Sequence, residues 1–401
     1  MAVTIRKKTF TLSAMNKGGR AALARSKSID HQIDEDRERM QKEVQLLILG
    51  SAGAGKSTFI KQLRLHYGDR FPEQTRSQFT QYVLYNVTCA LHIIMDQMEL
   101  MGIKYDNQQN QQKAAELREK HPRISLDTIL RRYKEEEDRC QKICPSMSRA
   151  DVRHRLTLLD VYVPHVADVT LLQQLWTDCG VQCCYARRLK FPRKTLTPTY
   201  EYFLENVDRI LTTDYVPAIQ DILHIRWPTL GMQEHVFTMD HLLFKVIDVA
   251  GQKSLRKKWI HFFEGVTAVL FFVALSGYDE AVEEEPSMNM MQDSLQAFHE
   301  VSHNHFLEKT DFILFLNKKD IFVNHIQVTG LTKCFPHYKG PPHSAEDSLR
   351  FIKDQFIQHK PGHKQMYTHL TCAVDVPHMR DVLTSVMDKI VDINVKRSQL
   401  H

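Results

Sequence analysis

The chain has 401 residues, 43% of them hydrophobic and 25% charged, an ordinary globular composition able to bury one or two cores. Its eight cysteines, Cys89, Cys140, Cys144, Cys179, Cys183, Cys184, Cys334 and Cys372, have neither zinc-site spacing nor the density of a small disulfide scaffold, so they are read as reduced thiols. No stretch approaches the roughly 18 to 20 apolar residues of a membrane span and no signal-type apolar core follows Met1, so the expectation is a soluble, cytoplasmic protein.

The net charge of +5 is unevenly spread. Arg6, Lys7, Lys8, Lys17, Arg20, Arg25 and Lys27 precede the first acid, Asp30, and setting those seven charges aside leaves about −2 for the rest. Such an arm suits an anionic membrane surface, at about 1 kcal/mol per cation near it. It also has the look of an organelle transit peptide, and nucleic acid is the weaker partner. Ala21 to Glu43 is rich in helix formers with sparse apolar residues, Ala22, Leu23, Ile29 and Ile33, which reads as an exposed helix awaiting a partner. Residues 1–43 are therefore taken as a basic arm and N-terminal helix.

Val44 to Leu49 has the pattern of a buried strand, a glycine loop follows, and Ser57 to Leu65 has helical spacing. From about 70 to 214 strand-like runs are few. Val83, Val87, Leu91, Ile94, Met98 and Met101 step along one helix face, so this region reads as all-helical, with Asp106 to Lys120 and Arg131 to Arg139 as solvated faces or loops. After Pro217 strands return at Glu234 to Met239, Leu243 to Val249, Ala268 to Leu275, Asp311 to Leu316 and Met366 to Thr371, separated by helices. That alternation implies an α/β fold with a mostly parallel sheet covered on both faces. The expected organisation is one nucleotide domain, 44–69 and 215–401, interrupted by an all-α domain, 70–214, with the ligand between them at the strands' carboxyl ends.

Three motifs carry the chemistry. Gly50-Ser51-Ala52-Gly53-Ala54-Gly55-Lys56-Ser57 fits a phosphate-binding loop between strand and helix, and with Thr58 supplies the candidate phosphate contacts. Its backbone N–H groups curl around phosphates, Lys56 reaches the β and γ oxygens, and Ser57 offers a magnesium ligand. Asn317-Lys318-Lys319-Asp320 follows an apolar strand and favours guanine. The Asp320 carboxylate accepts both N–H donors of guanine's Watson–Crick edge, whereas adenine presents a ring acceptor there. Asp248-Val249-Ala250-Gly251-Gln252 brings an acid out of the sheet beside the phosphates. Asp248 holds magnesium through water, Gly251 offers its N–H to the γ-phosphate, and Gln252 orients the attacking water.

In this order the motifs resemble Ras-like GTPases, and the helical interruption with Lys257-Lys258-Trp259-Ile260-His261-Phe262-Phe263-Glu264-Gly265-Val266-Thr267 resembles the heterotrimeric G-protein α subunits. The likeness covers most of the chain; the stretch from about 106 to 159 does not align and carries extra residues. It extends to Arg226-Trp227-Pro228-Thr229-Leu230-Gly231, similar to the family's first switch, and to Thr371-Cys372-Ala373, similar to its last guanine loop. The resemblance implies a Ras-like P-loop GTPase domain that cycles between GDP and GTP, with magnesium on Ser57, Thr229 and, through water, Asp248. It makes Gln252 and Arg226 catalytic, Arg226 neutralising charge on the transferred phosphoryl group, and gives the Ala373 N–H to the guanine oxygen. It also implies a βγ dimer on the N-terminal helix and the 252–259 switch, a G-protein-coupled receptor gripping the C-terminus near Leu400, and peripheral attachment to the inner face of the plasma membrane. It names no subclass or effector.

Several residues depart from the family pattern. Ala52 and Ala250 replace glycines, which crowds the γ-phosphate and restricts the second switch, and Gly53 replaces an acid that pairs with the switch arginine. These leave a second reading open, a GTP-binding adaptor with weak or no hydrolysis. Ala2 stands where myristoylation requires glycine, and the first cysteine is Cys89, so the basic arm and βγ are expected to hold the membrane. The 21 histidines, His224 among them, are read as scattered surface residues.

Overall fold

The computed structural model describes residues 43–124, 168–188, 191 and 196–399, apart from 230, 240 and 283, with isolated positions between 128 and 142. The basic arm and N-terminal helix, most of the 131–139 run and residues 400–401 lie outside the described residues, as does most of the unaligned stretch beyond 124.

Among the described residues six strands form one sheet: β1 Glu43–Gly50, β2 Met232–Met239, β3 Leu242–Val249, β4 Ala268–Ala274, β5 Asp311–Asn317 and β6 Met366–Leu370, in the order β2-β3-β1-β4-β5-β6. Only β2 is antiparallel, paired with β3, and the other neighbours are parallel. A parallel sheet buries both faces at its centre, which is why β4 and residues 312–316 of β5 read as unbroken apolar runs. Val44, Leu46 and Ile48 of β1 point to one core, while Leu47 and Leu49 point to the other.

Helix α1, Lys56–Tyr67, covers the first face through Phe59, Ile60 and Leu63, beside Met379, Leu383 and Ile390 from the C-terminal helix Val376–Gln399. Phe59 sits 5.0 Å from Phe272 and from Phe315, and those two rings stack on each other at 4.4 Å. Each fully buried phenylalanine contributes about 1.5–3 kcal/mol. The second face is covered by helices Met290–Ser302, Lys319–Ile326 and Ala345–His359, through Leu295, Phe298, Phe322 and Phe356.

A separate core contains no strand residue. Its centre is Thr80–Met101, labelled α2, stopped by Gly102 in the left-handed region. The expected stripe Val83, Val87, Leu91, Ile94 and Met98 is buried there, with Met101 packed at its margin, but so are Leu84, Ala90, Ile93 and Met95. One stripe was expected to face a core; instead helices Pro198–Glu205, Cys179–Ala186 and Val169–Trp176 wrap α2 on several sides. The polar stretch 106–120 forms the helix Gln108–Lys120, capped by Asn107 and anchored by buried Ala114 and Leu117. Asp178 secures its start, accepting from the Asp106 N–H (3.2 Å) and Asn110 Nδ2 (2.9 Å) while capping Cys179–Ala186. The six described cysteines are free. Among the described residues no helix is long and apolar enough to cross a membrane.

The short helix Ile219–His224, labelled α3, leads from this second core toward β2. Its fully buried Asp221 accepts from Tyr202 Oη (2.7 Å), Tyr215 Oη (2.8 Å), Arg209 Nη1 (2.8 Å) and the Ala218 N–H (2.7 Å). Burial alone would raise this acid, but the bonds from Arg209, Tyr202, Tyr215 and Ala218 outweigh it and hold Asp221 below the usual carboxylate range. Its folded pKa is therefore the lower one, so its stabilisation is present above the unfolded value and is lost as pH falls through the folded value. Asp221→Ala should lower unfolding free energy by about 2 kcal/mol, discounted for the half-exposed Arg209. Urea unfolding at pH 7 reads that loss, and the gap from the parent chain should narrow on acidification.

Candidate functional site

The strand order turns outward in both directions from β1, and the carboxyl ends of β1, β3, β4 and β5 open on one edge, the position where open α/β sheets bind ligands. Residues 50–55 leave β1 as a loop and Gly55 caps α1 at φ 102°. A side chain at Gly55 would also meet Asn317 Nδ2 at 2.1 Å, so glycine is required there on two counts. The first turn of α1 carries no acid, which leaves the positive end of its dipole for an anion. Lys56 is buried at the loop's mouth and donates to Gly50 O (2.8 Å) and Ser51 O (2.9 Å). Burial lowers it to about 8 against the pull of Asp248, with Arg256 adding to the lowering.

Three oxygen donors meet at one corner. Ser57 Oγ lies 2.7 Å from Thr229 Oγ1, which donates to Asp248 Oδ2 at 3.3 Å. Asp248 is 1% exposed and its Oδ1 is buried without a hydrogen-bond partner. Burial pushes its carboxyl up to about 6, against Lys56 and the Thr229 hydroxyl. Two hydroxyls and a carboxylate with an unsatisfied oxygen fit a hard, oxygen-seeking cation such as magnesium.

Gly251 lies against the phosphate loop, where a Cβ would meet Lys56 Nζ at 2.3 Å and Gly50 O at 2.5 Å. Gln252 follows, 5% exposed, at the start of the 3-10 helix Lys253–Phe262, with its Oε1 buried and without a hydrogen-bond partner. The two alanines are accommodated by the backbone, since neither Ala52 nor Ala250 lies at positive φ. Ala52 is exposed on the loop's rim. Ala250 is buried, with its N–H donated to Gly231 O (3.0 Å) and its carbonyl taking the Trp259 indole N–H (2.9 Å).

An ion pair between buried Asp293 and partly buried Arg256, which sequence reasoning missed, frames this region. Arg256 donates to both carboxylate oxygens of Asp293 (2.9 and 2.5 Å), to Ser51 Oγ (3.2 Å) and to Gly251 O (3.2 Å). Ser51 also contacts Asp293 Oδ2 (3.2 Å) and Ser294 Oγ (2.8 Å), so its side chain serves this network. The available signal was Asp293, an acid on the apolar face of Met290–Ser302 between Met291 and Leu295.

At the base end, Asn317 is the tie. Its Nδ2 donates to Ala54 O (2.8 Å), and its Oδ1 accepts from Thr371 Oγ1 (3.1 Å) and the Ala373 N–H (3.0 Å). The N–H expected to meet a guanine oxygen is thus donated to Asn317 here. Gln62 Nε2 holds Ala373 O at 2.8 Å. Lys318 caps Lys319–Ile326 at φ 62°, and Asp320 stands exposed on that helix's first turn. Asp320 lies beside Cys372, whose thiol is pushed up to about 12 by burial and then by that carboxylate.

Thr58 donates to Leu223 O (3.5 Å) rather than into the loop. Arg226 is exposed, its N–H is held by Asn86 Oδ1 (3.3 Å), and its charge adds to the lowering that burial imposes on Lys318. His224 is no scattered surface residue: it is half-buried, lies flat on Tyr202 at 3.8 Å, and burial lowers its pKa.

The structure therefore brings Lys56, Ser57, Thr229, Asp248, Gly251 and Gln252 around one loop, with Asn317 joining that loop to Ala373. A family model described as G-protein alpha subunit matches residues 23–390.

Proposed function

Because the chain belongs to the G-protein α-subunit family, whose members bind guanine nucleotides and transduce signals, we propose that it cycles between GDP and GTP downstream of G-protein-coupled receptors and hydrolyses GTP. The observation that carries this reading is the corner of Ser57, Thr229 and Asp248 beside Lys56, with Gln252 Oε1 buried and unsatisfied next to it. In this reading the helical core is an inserted domain and the nucleotide lies between it and the sheet. Lys56 takes the β and γ oxygens. Magnesium, when bound, neutralises charge on those oxygens, and its ligands are Ser57, Thr229 and, through water, Asp248. Gln252 Oε1 accepts a hydrogen bond from the attacking water and aligns it, Gly251 offers its N–H to the γ-phosphate, and Arg226 balances charge on the transferred group.

Asp320 selects guanine. The βγ dimer docks on the N-terminal helix and on the 252–259 switch, just beyond which Ile260 is 44% exposed. The receptor grips the C-terminal helix, and the basic arm rests on the inner leaflet of the plasma membrane.

Single-turnover phosphate release from protein preloaded with GTP and started with magnesium tests the reading, with retained nucleotide followed in parallel. Prompt release, competed by GTP and not ATP, is the expected result. Retained GTP without release is the outcome for an adaptor limited by Ala52 and Ala250. Since both alanines hold ordinary backbone angles, any penalty comes from their methyl groups. The double change Ala52→Gly/Ala250→Gly should then raise turnover by about threefold to tenfold, a fraction of what a misplacement of an ångström costs. Unchanged turnover in the double variant rules out crowding.

A further inference from the structure

The segment from Ile225 to Thr229 runs between the two cores: Lys61 of α1 donates to the Ile225 carbonyl (3.4 Å) and Ser57 meets Thr229, while the helical core takes Ile225 and Trp227. Ile225 is buried in the helical core, Arg226 is exposed and Trp227 packs back against that same core, the alternation of an extended chain. The Trp227 ring stands edge-on to Tyr82 (centroids 5.2 Å, planes at 82°) and to Tyr85 (5.5 Å, 80°), which lie three residues apart on α2 and make a slot. Pro228 confines the backbone of Trp227 to extended conformations, so the ring enters that slot with little freedom. One turn further along α2, Asn86 donates to Tyr82 O (2.7 Å) and accepts the Arg226 N–H (3.3 Å). Lys61 and Thr58 of α1 hold the carbonyls of Ile222 and Leu223 upstream, and Thr229 meets Ser57 downstream. The phosphate loop contributes no acid to hold a guanidinium, and the position a Gly53 side chain would fill has nothing within 4 Å.

We propose that Trp227, wedged between Tyr82 and Tyr85, is the positioning residue that fixes the backbone of Arg226 and so aims its guanidinium at the transferred phosphoryl group. The Arg226 N–H is held by Asn86 and the next residue is the wedged Trp227, which fixes the root from which the long arginine side chain reaches. The clamp joins the helical core to the switch segment, so rate depends on a contact that touches neither nucleotide nor magnesium. This inference rests on the GTPase reading of the site.

The test compares the full-length parent chain with Trp227→Val and Trp227→Phe. Three quantities are measured: affinity for a fluorescent GDP analogue, affinity of the magnesium·GDP-loaded protein for fluoroaluminate, and single-turnover phosphate release. For Trp227→Val, release and fluoroaluminate affinity should each fall about tenfold while GDP affinity stays within about twofold, since only interactions made in the transition state are disturbed. Trp227→Phe, which keeps an aromatic ring in the slot, should recover most of both losses. Parent-like behaviour of Trp227→Val overturns the proposal. So does an equal fall in GDP and fluoroaluminate affinity, which marks Trp227 as a structural support only. A parent chain that takes up GDP but neither binds fluoroaluminate nor releases phosphate overturns the GTPase reading itself, and the positioning role falls with it.

Discussion

Gln252→Leu should leave GTP bound and slow single-turnover phosphate release by on the order of a hundredfold. Gln252 caps the start of a 3-10 helix, is 5% exposed, and keeps its Oε1 in the interior without a hydrogen-bond partner. A buried amide oxygen left unpaired costs about 1–3 kcal/mol, a cost that a bound water would relieve. Leucine has nearly the same volume and no acceptor. It fills the place, leaves the water without orientation and removes the unsatisfied carbonyl. Thermal unfolding of the variant should therefore occur at the parent temperature or slightly above, while turnover collapses. That opposition separates a catalytic residue from a structural one, because a packing residue of this burial would lose both together. The frame around it persists in the variant, since Arg256 holds Gly251 O and pairs with Asp293 independently of the glutamine side chain. Release at the parent rate would show that some other group orients the water.

How much of this was legible in the sequence depended on how far apart the partners lie along the chain. The buried strands were legible because Leu46 to Leu49 and Phe312 to Leu316 leave no polar position on either face, as a covered parallel sheet demands. The start of β2 was placed two residues late, at Glu234 instead of Met232, because this edge strand opens on polar and half-exposed residues and its period is weak. Gly50 to Ser57, Asp248 to Gln252 and Asn317 to Asp320 were legible as candidates because each is a contiguous motif whose expected chemistry needs adjacent residues. The Arg256–Asp293 pair spans 37 residues and the Asn86–Arg226 bond spans 140, and neither leaves a periodic trace. Nothing local in the sequence marks Tyr82 and Tyr85 as partners of the distant Trp227. The Ser51 hydroxyl contacts Asp293 and Ser294, a choice set by tertiary packing alone that leaves its backbone N–H for the expected phosphate contact.

Asn317→Ala should weaken GDP retention by about a hundredfold and lower unfolding free energy by about 3 kcal/mol, the larger structural effect at the base end of the site. Asn317 is 1% exposed and makes three bonds in two directions: to Ala54 O in the phosphate loop, and from Thr371 Oγ1 and the Ala373 N–H in the loop after β6. Truncation strands these partners in the interior, and each buried orphan costs about 1–3 kcal/mol. The loss reaches the nucleotide because Ala54 stands between the glycines that shape the phosphate loop, and Ala373 is the other end of the same tie. Asp320→Ala supplies the contrast. Asp320 is exposed, so its removal should leave the melting temperature within the small range of surface substitutions. It should instead erode the preference for guanine over adenine nucleotides, since in the proposed reading the carboxylate accepts the guanine edge. Filter binding of labelled GDP, with urea unfolding of the same preparations, separates the two. If Asn317→Ala changed base preference without loss of stability, Asn317 would be a base-reading residue instead of the tie between the two loops.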